Sequence, residues 1–232
     1  MRWLILAVLA SLCMSGPALA QNLIVNVDAI ADGAFDRAAV HEVVPTREQS
    51  EDLVFAEMLQ VVRRGLAASG LQLREDPQQP ADVLISVDYS VSGPKSHTYT
   101  RQIPVQGVVG TEKAKTTFTP TWGNNVEATT TYQEKRGVVG YRDETISYTT
   151  HTRRLRLEAV DRRELEASGR RKVLWTTELS SEGASDDLRY VLPFMVQSGV
   201  KYFGRSSGHR VEVKLKRKDK NVEVLRSGVA RK

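Results

Sequence analysis

Residues 81–93 read ADVLISVDYSVSG. Val83, Ile85, Val87, Tyr89 and Val91 alternate without interruption with Leu84, Ser86, Asp88, Ser90 and Ser92. A period of two is the signature of a strand with one buried face and one polar face. The same alternation recurs elsewhere. NLIVNVDAI (22–30) places Leu23, Val25 and Val27 on one side, and LRLEAVD (155–161) does so with Leu155, Leu157 and Ala159. KVLWTTELSSEG (172–183) sets Val173, Trp175, Thr177 and Leu179 against Leu174, Thr176 and Glu178. HRVEVKL (209–215) carries Val211, Val213 and Leu215, and LQLREDP (71–77) is a short strand stopped by Pro77.

Two segments have the helical period instead. In 51–70, Phe55, Leu59, Val62 and Leu66 form a stripe flanked by Val54, Met58 and Val61, opposite Glu57, Gln60, Arg63 and Arg64. Thr46 with Gln49 three residues on is a capping box, and Gly70 is a C-terminal stop. In SDDLRYVLPFMVQSGVKYFG, Ser185 can cap, Asp186 and Asp187 suit a first turn, and Leu188, Val191, Leu192, Met195, Val196 and Tyr202 supply the apolar face. Pro193 either kinks this helix or begins its main part.

Strands clustered between two helices, with hairpin-style connections, predict an α+β fold: an antiparallel sheet with two helices packed on one face. Residues 94–150 stand apart, being rich in Thr and Gly, poor in Leu, and carrying GVVG twice, at 107–110 and 137–140. Thr and Tyr favour strands and WGNN marks a turn. The expectation is a long Thr/Gly-rich hairpin insertion, drawn as two extended hairpins, with a flexible low-complexity insert as the alternative. The domain plan is a signal peptide (1–20), a single α+β domain (21–215) and a basic C-terminal tail (216–232).

The signal peptide rests on MRWLILAVLASLCMSGPALA: one basic residue, a short apolar run, then small residues at 18–20. Cleavage after Ala20 is expected. Lipidation at Cys13 is disfavoured, because Leu12 precedes it and it lies inside the apolar run. Cys13 is the only cysteine, so the mature chain would have neither a disulfide framework nor thiol chemistry. No later apolar run is long enough for a membrane helix. These features place the protein in an export route, periplasmic or outer-membrane associated.

The net charge is +5, and 214–232 holds eight basic residues against two acidic ones. Lys214, Lys216, Arg217, Lys218 and Lys220 are candidates for contact with an anionic surface, an envelope protein, an anionic lipid or a wall component. A solvated terminus is the plainer reading of the same residues. Nucleic acid is not expected, since no aromatic side chain interleaves the tail to stack on bases.

The last third of the chain carries a set of spaced residues: Asp161 ending a strand, Trp175 within the next, Gly183 closing SSEG, then Asp187, Leu188 and Arg189, Pro193 in a helix, and Tyr202 and Gly204 in KYFG. This pattern resembles the C-terminal signature of the domain-of-unknown-function 4136 family, bacterial cell-envelope proteins that are often lipoproteins. The resemblance implies location and fold. It implies no reaction, because the family brings no catalytic residues to carry over.

Chemistry has few footholds. His41, His97, His151 and His209 are scattered, and no zinc, phosphate-loop or dinucleotide motif is present. No cofactor or metal is expected. One motif invites an enzyme: GRSSG (204–208) matches G-x-S-x-G with Ser206 as nucleophile and His209 nearby. A nucleophile elbow needs a strand entering and a helix leaving, and here the predicted order is reversed. The residues therefore predict a non-enzymatic binding or structural module of the cell envelope, with a secreted serine hydrolase using Ser206 as the alternative.

Overall fold

The computed structural model describes residues 22–120 and 126–228. The expected signal peptide, Cys13 and the WGNN turn lie outside the described residues. The chain forms two compact units, one of residues 22–93 and 151–228 within the described range, the other of 94–150.

In the first unit the strands are β1 (Leu23–Ala31), β2 (Val40–Val43), β3 (Gln72–Leu73), β4 (Val83–Val91), the last part of β6 (Val126–Asp161), β7 (Val173–Gly183) and β8 (Val211–Leu215). Their order is β3-β2-β4-β6-β7-β1-β8. The helices are α1 (Arg47–Glu51), α2 (Leu53–Ala68), α3 (Arg162–Ser168), α4 (Leu188–Gly199) and α5 (Lys220–Ser227).

The expected antiparallel sheet with two helices packed on one face is overturned. The described chain is mostly strand, 50% against 24% helix, and the sheet is mixed. β2 runs parallel to both β3 and β4, because α1 and α2 carry the chain back before β3 begins, so the next strand starts at the same end. Alternation reports which face a residue occupies and is blind to strand direction. Three elements escaped the sequence reading: the four-residue β2, α3, and α5 inside the supposed tail.

The faces read from alternation are the observed ones. Val25, Val27, Val83, Ile85, Val87, Leu155, Leu157, Trp175 and Leu179 are all buried and form one cluster with α2 and α4. Thr46 and Gln49 make the capping box of α1, and Asp52 then interrupts the helix and caps α2 by accepting from Val54 N at 2.8 Å. α2 crosses α4 closely enough that a methyl on Gly65 would stand 2.1 Å from Val196 Cγ1. α5 packs on both helices, burying Val222 and Leu225. Arg64 of α2 secures its end by donating to the carbonyls of Leu225 (2.9 Å) and Arg226 (3.0 Å).

The second unit is one antiparallel ribbon, β5 (Lys95–Pro120) against the first 25 residues of β6. The expectation of two hairpins gives way to this single one. Its ladder runs from Lys95↔Thr150 to Pro120↔Val126. The duplicated GVVG segments pair with each other, Gly107 opposite Gly137, and the register shifts there.

Candidate interaction surface

The spaced residues of the last third turn out to be fold-making. Asp161 caps α3, accepting from Glu164 N at 3.1 Å, and Asp187 caps α4, accepting from Tyr190 N at 3.3 Å. Each thereby satisfies an N–H that the helix leaves open. Trp175 is 1% exposed and packs among Phe35 and Phe203. Leu188 and Pro193 are buried in α4, and Arg189 pairs on the surface with Glu57 at 2.5 Å. Tyr202 begins the turn out of α4, closing on Gly199 O at 2.7 Å. Gly204 takes φ +64, a conformation few side chains tolerate, beneath Phe35 and Arg37. They serve as caps, core and close approaches.

Gly183 has a specific neighbour that the sequence reading missed. Arg153 is 2% exposed on β6 and lies over it, with Nη2 at 2.9 Å from where a Cβ would sit. The guanidinium donates to Ser185 O (2.8 Å) and Ser181 Oγ (3.3 Å). Burial lowers its pKa and nearby Glu182 opposes that. Ser181 Oγ donates in turn to Ile24 O at 2.9 Å. This buried cation therefore links β6, β7 and the approach to α4, and is the physical reason SSEG ends in glycine. Arg37 does a similar job, donating to Phe203 O (2.5 Å) and Ser69 O (2.7 Å), so that the turns following α2 and α4 are tied together.

Ser206 does not sit in a nucleophile elbow. Its Oγ accepts from Ala31 N at 2.9 Å and donates to Ala31 O at 3.3 Å. Ser207 repeats this on Ala29, with Oγ accepting from N (3.1 Å) and donating to O (3.2 Å). Both hydroxyls lace the connection after α4 onto β1, and neither bonds to His209. The helix enters and the strand leaves, as the sequence indicated.

His41 is fully buried on β2, its ring edge-on to Phe35. Nδ1 lies 3.2 Å from Gln72 O, so it carries the proton, and Nε2 is left without a partner. Burial pushes its pKa down, outweighing the backbone carbonyls that favour the charged form. A groove of about 460 Å³ beside it is lined by Glu42, Arg63, Arg64 and Arg74. Arg74 is already held by Glu42 (2.5 Å) and Pro77 O (2.5 Å), and Arg64 by α5. Among the described residues no cluster of His, Cys, Asp or Glu could hold a metal ion.

Lys214, Lys216, Arg217, Lys218 and Lys220 are exposed, on β8, the turn after it, and the first residue of α5. Lys214 pairs with Glu212 at 3.1 Å, and Asp219 within the group is engaged as the cap of α5. They form a local basic corner on a folded element rather than a frayed tail.

The ribbon differs from everything above. None of its described residues is buried. Large apolar side chains stand in the open along it, among them Tyr99 (49% exposed), Val108 (52%), Phe118 (67%), Tyr132 (66%), Val139 (54%) and Tyr141 (67%). Its sides are coherent nonetheless. One near-end side carries Thr98, Thr100 and Gln102 opposite Ser147, Thr145 and Asp143; the other carries His97, Tyr99 and Ile103 opposite Tyr148, Ile146 and Arg142. Hydroxyl pairs bridge the strands, Thr100 to Thr145 at 3.5 Å and Thr116 to Thr130 at 3.0 Å, and Arg101 pairs with Glu144 at 2.8 Å. Sequence reading singled out the segment by composition. Its tyrosines are exposed, and Tyr148 stacks on His97 and meets Tyr99 edge-on across the strands.

No family model matches the chain and no curated protein matches it, so the family resemblance rests on the quoted residues alone. Among solved structures it is similar to a PDZ domain protein from Parabacteroides distasonis, at 14% identity and a TM-score of 0.37 over 83% of this chain and 38% of that one. It is also similar to a PelC dodecamer from Paraburkholderia phytofirmans, at 12% identity and a TM-score of 0.34 over 78% and 98%. Likenesses this distant assign no function. No helix among the described residues is long and apolar enough to cross a membrane.

Proposed function

We propose that the protein is an exported, non-enzymatic binding or structural module of the cell envelope, and that the 94–150 ribbon is its working surface. The observation that carries this is the ribbon's lack of any buried described residue together with its exposed aromatic and valine side chains. Exposed apolar surface on this scale marks a place where something else binds. A two-stranded ribbon is also marginal in water without a third element to cover it. The engagement of Ser206 by the Ala31 backbone supports the non-enzymatic reading over the alternative of hydrolysis. Export rests on the first twenty residues, and the basic corner at 214–220 suits an anionic partner.

The test is fractionation of cells expressing the tagged full chain, followed by salt and detergent extraction. The chain is expected in the periplasmic or envelope fraction. Replacing Tyr99, Phe118, Tyr132 and Tyr141 by serine should release it, and charge reversal at Lys216, Arg217 and Lys218 should weaken only the salt-sensitive part. Residence in the cytosol, or retention indifferent to both sets of substitutions, would refute the proposal.

A further inference from the structure

We infer that the occupant of the ribbon's open edges is a second copy of this chain, added head to tail, with the β5 edge of one copy against the β6 edge of the next. The inference rests on the ribbon being the working surface, and it names the partner.

Among the described residues, β5 has β6 as its only strand neighbour, and the part of β6 before His151 has only β5. From Thr98 to Pro120 and from Val126 to Thr149, half of the backbone N–H and C=O groups therefore face an unoccupied edge. A 26-residue strand at about 3.3 Å per residue makes that edge roughly 85 Å long. Edges of this length are templates for strand addition, and closure into a ring of strands removes them.

The choice of occupant follows from what β5 already selects. A strand presents the same side chains toward both of its neighbours. On its closed side β5 is matched by β6: threonine meets threonine, Arg101 meets Glu144, and Thr111 meets Glu134. A β6 strand from another copy offers the open side the same partners at the same heights. Charge favours this pairing over β5 on β5. β5 carries Lys95, Arg101, Lys113 and Lys115 against Glu112, whereas residues 126–150 of β6 carry Glu127, Glu134, Asp143 and Glu144 against three cations. Like edges would set basic strand on basic strand; unlike edges complement. Such a contact is heterologous, so it repeats from copy to copy until it closes.

Pro104 and the three register shifts, at 105/106, 108/110 and 111/113, interrupt the added ladder locally and leave the edge on either side of them open. Proline has no N–H, and the nitrogen of Pro104 faces away from β6, so an added strand goes without one ladder bond there. By strand alternation Thr98, Thr100 and Gln102 then turn their N–H groups to the open edge as well. Bulges supply the local twist and bend that a closed ring of strands requires.

The experiment uses the full chain with Cys13→Ser, so that introduced thiols are the only ones. Chains carrying Thr100→Cys are mixed with chains carrying Thr145→Cys or Ser147→Cys. Mixing is done in buffer and on vesicles of phosphatidylethanolamine and phosphatidylglycerol, and native mass is measured alongside. Disulfide-linked pairs are expected in the mixtures and not in either chain alone, with a multi-copy native mass. Thr98→Pro combined with Thr100→Pro, which with Pro104 leaves only one outward N–H between 98 and 104, should weaken both while the strand-rich circular dichroism persists. Crosslinking of Thr100→Cys with itself would mean like edges meet and would overturn the inference. So would a chain that stays monomeric in buffer and on vesicles. A monomer still retained in the envelope leaves the proposed function standing and rejects self-assembly; a ring found in the cytosol does the reverse.

Discussion

Gly65→Ala is the sharpest test of how the helices meet. A methyl there would lie 2.1 Å from Val196 Cγ1, where relaxed carbon contacts fall at about 3.5–4.0 Å. Val62, Leu66, Val196 and Phe203 around it are fully buried, so there is no free side to move into. Overpacking costs about 2 kcal/mol, and alanine returns up to about 1 kcal/mol of helix propensity. The single variant should therefore lose about 1 kcal/mol. Val196→Ala removes two buried methyls, about 1.6 kcal/mol of transfer with about 1 kcal/mol more for the cavity. In the double variant the new methyl at 65 occupies the space vacated by Cγ1. The clash disappears, part of the cavity is filled and the propensity gain survives. The double variant should then be more stable than Val196→Ala alone, with a coupling of about 2–3 kcal/mol in favour of the pair. The assay is urea unfolding by circular dichroism at fixed protein concentration, comparing variants whose m-values agree. Effects that add to within about 0.5 kcal/mol would show that α2 and α4 do not meet at this point.

Other perturbations follow from the same contacts. Ser206→Ala should leave the chain as unreactive toward fluorophosphonate labelling as its parent, and with Ser207→Ala should lower stability by about 1 kcal/mol for each lost bonding position; labelling dependent on Ser206 would restore the hydrolase reading. His41 has a depressed folded pKa, so the unfolded chain takes up its proton first as pH falls. Its contribution is intact above about pH 6.5 and is lost below it, by at most about 1.4 kcal/mol per pH unit. His41→Phe should flatten that limb of a pH–stability profile. Val222→Asp should cost about 3 kcal/mol or more by placing a carboxylate in the α5 contact, while Lys218→Glu on the exposed turn should stay within about 0.5 kcal/mol. Equal effects on thermal unfolding would mean that α5 is not docked.

Much of the fold was legible because its signals are local. The alternation in 81–93 needs only neighbouring residues, and the buried set is Val83, Ile85 and Val87. The Thr46–Gln49 box is likewise written within four residues, whereas the cap of α4 is Asp187 and not the expected Ser185, whose hydroxyl accepts from Asp187 N instead. Reading failed where the element is short or its apolar content is masked. VHEV is four residues around a histidine, and α5 hides Val222 and Leu225 among lysines and arginines, though Asp219 before it and Gly228 after it are ordinary helix punctuation. The candidate surface was half legible: Thr, Tyr and a duplicated GVVG announced strands, but nothing local says that one GVVG pairs with the other.

Arg153 marks the same boundary. RRLRL reads as a strand whose charged positions face water, yet this guanidinium is buried because Ser185 O and Ser181 Oγ arrive beside it from another part of the chain. By itself, then, the sequence determined the alternating inward faces of β1, β4 and β7, the apolar stripes of α2 and α4, and the capping box at Thr46. Each of those choices is settled by sterics and hydrogen bonds within a turn or two. Only the tertiary structure decided that β2 runs parallel to β4, that 94–150 is a single ribbon, and that Gly183 exists to make room for Arg153. Those depend on partners brought together across dozens of residues, and a periodic pattern does not record which partner will come.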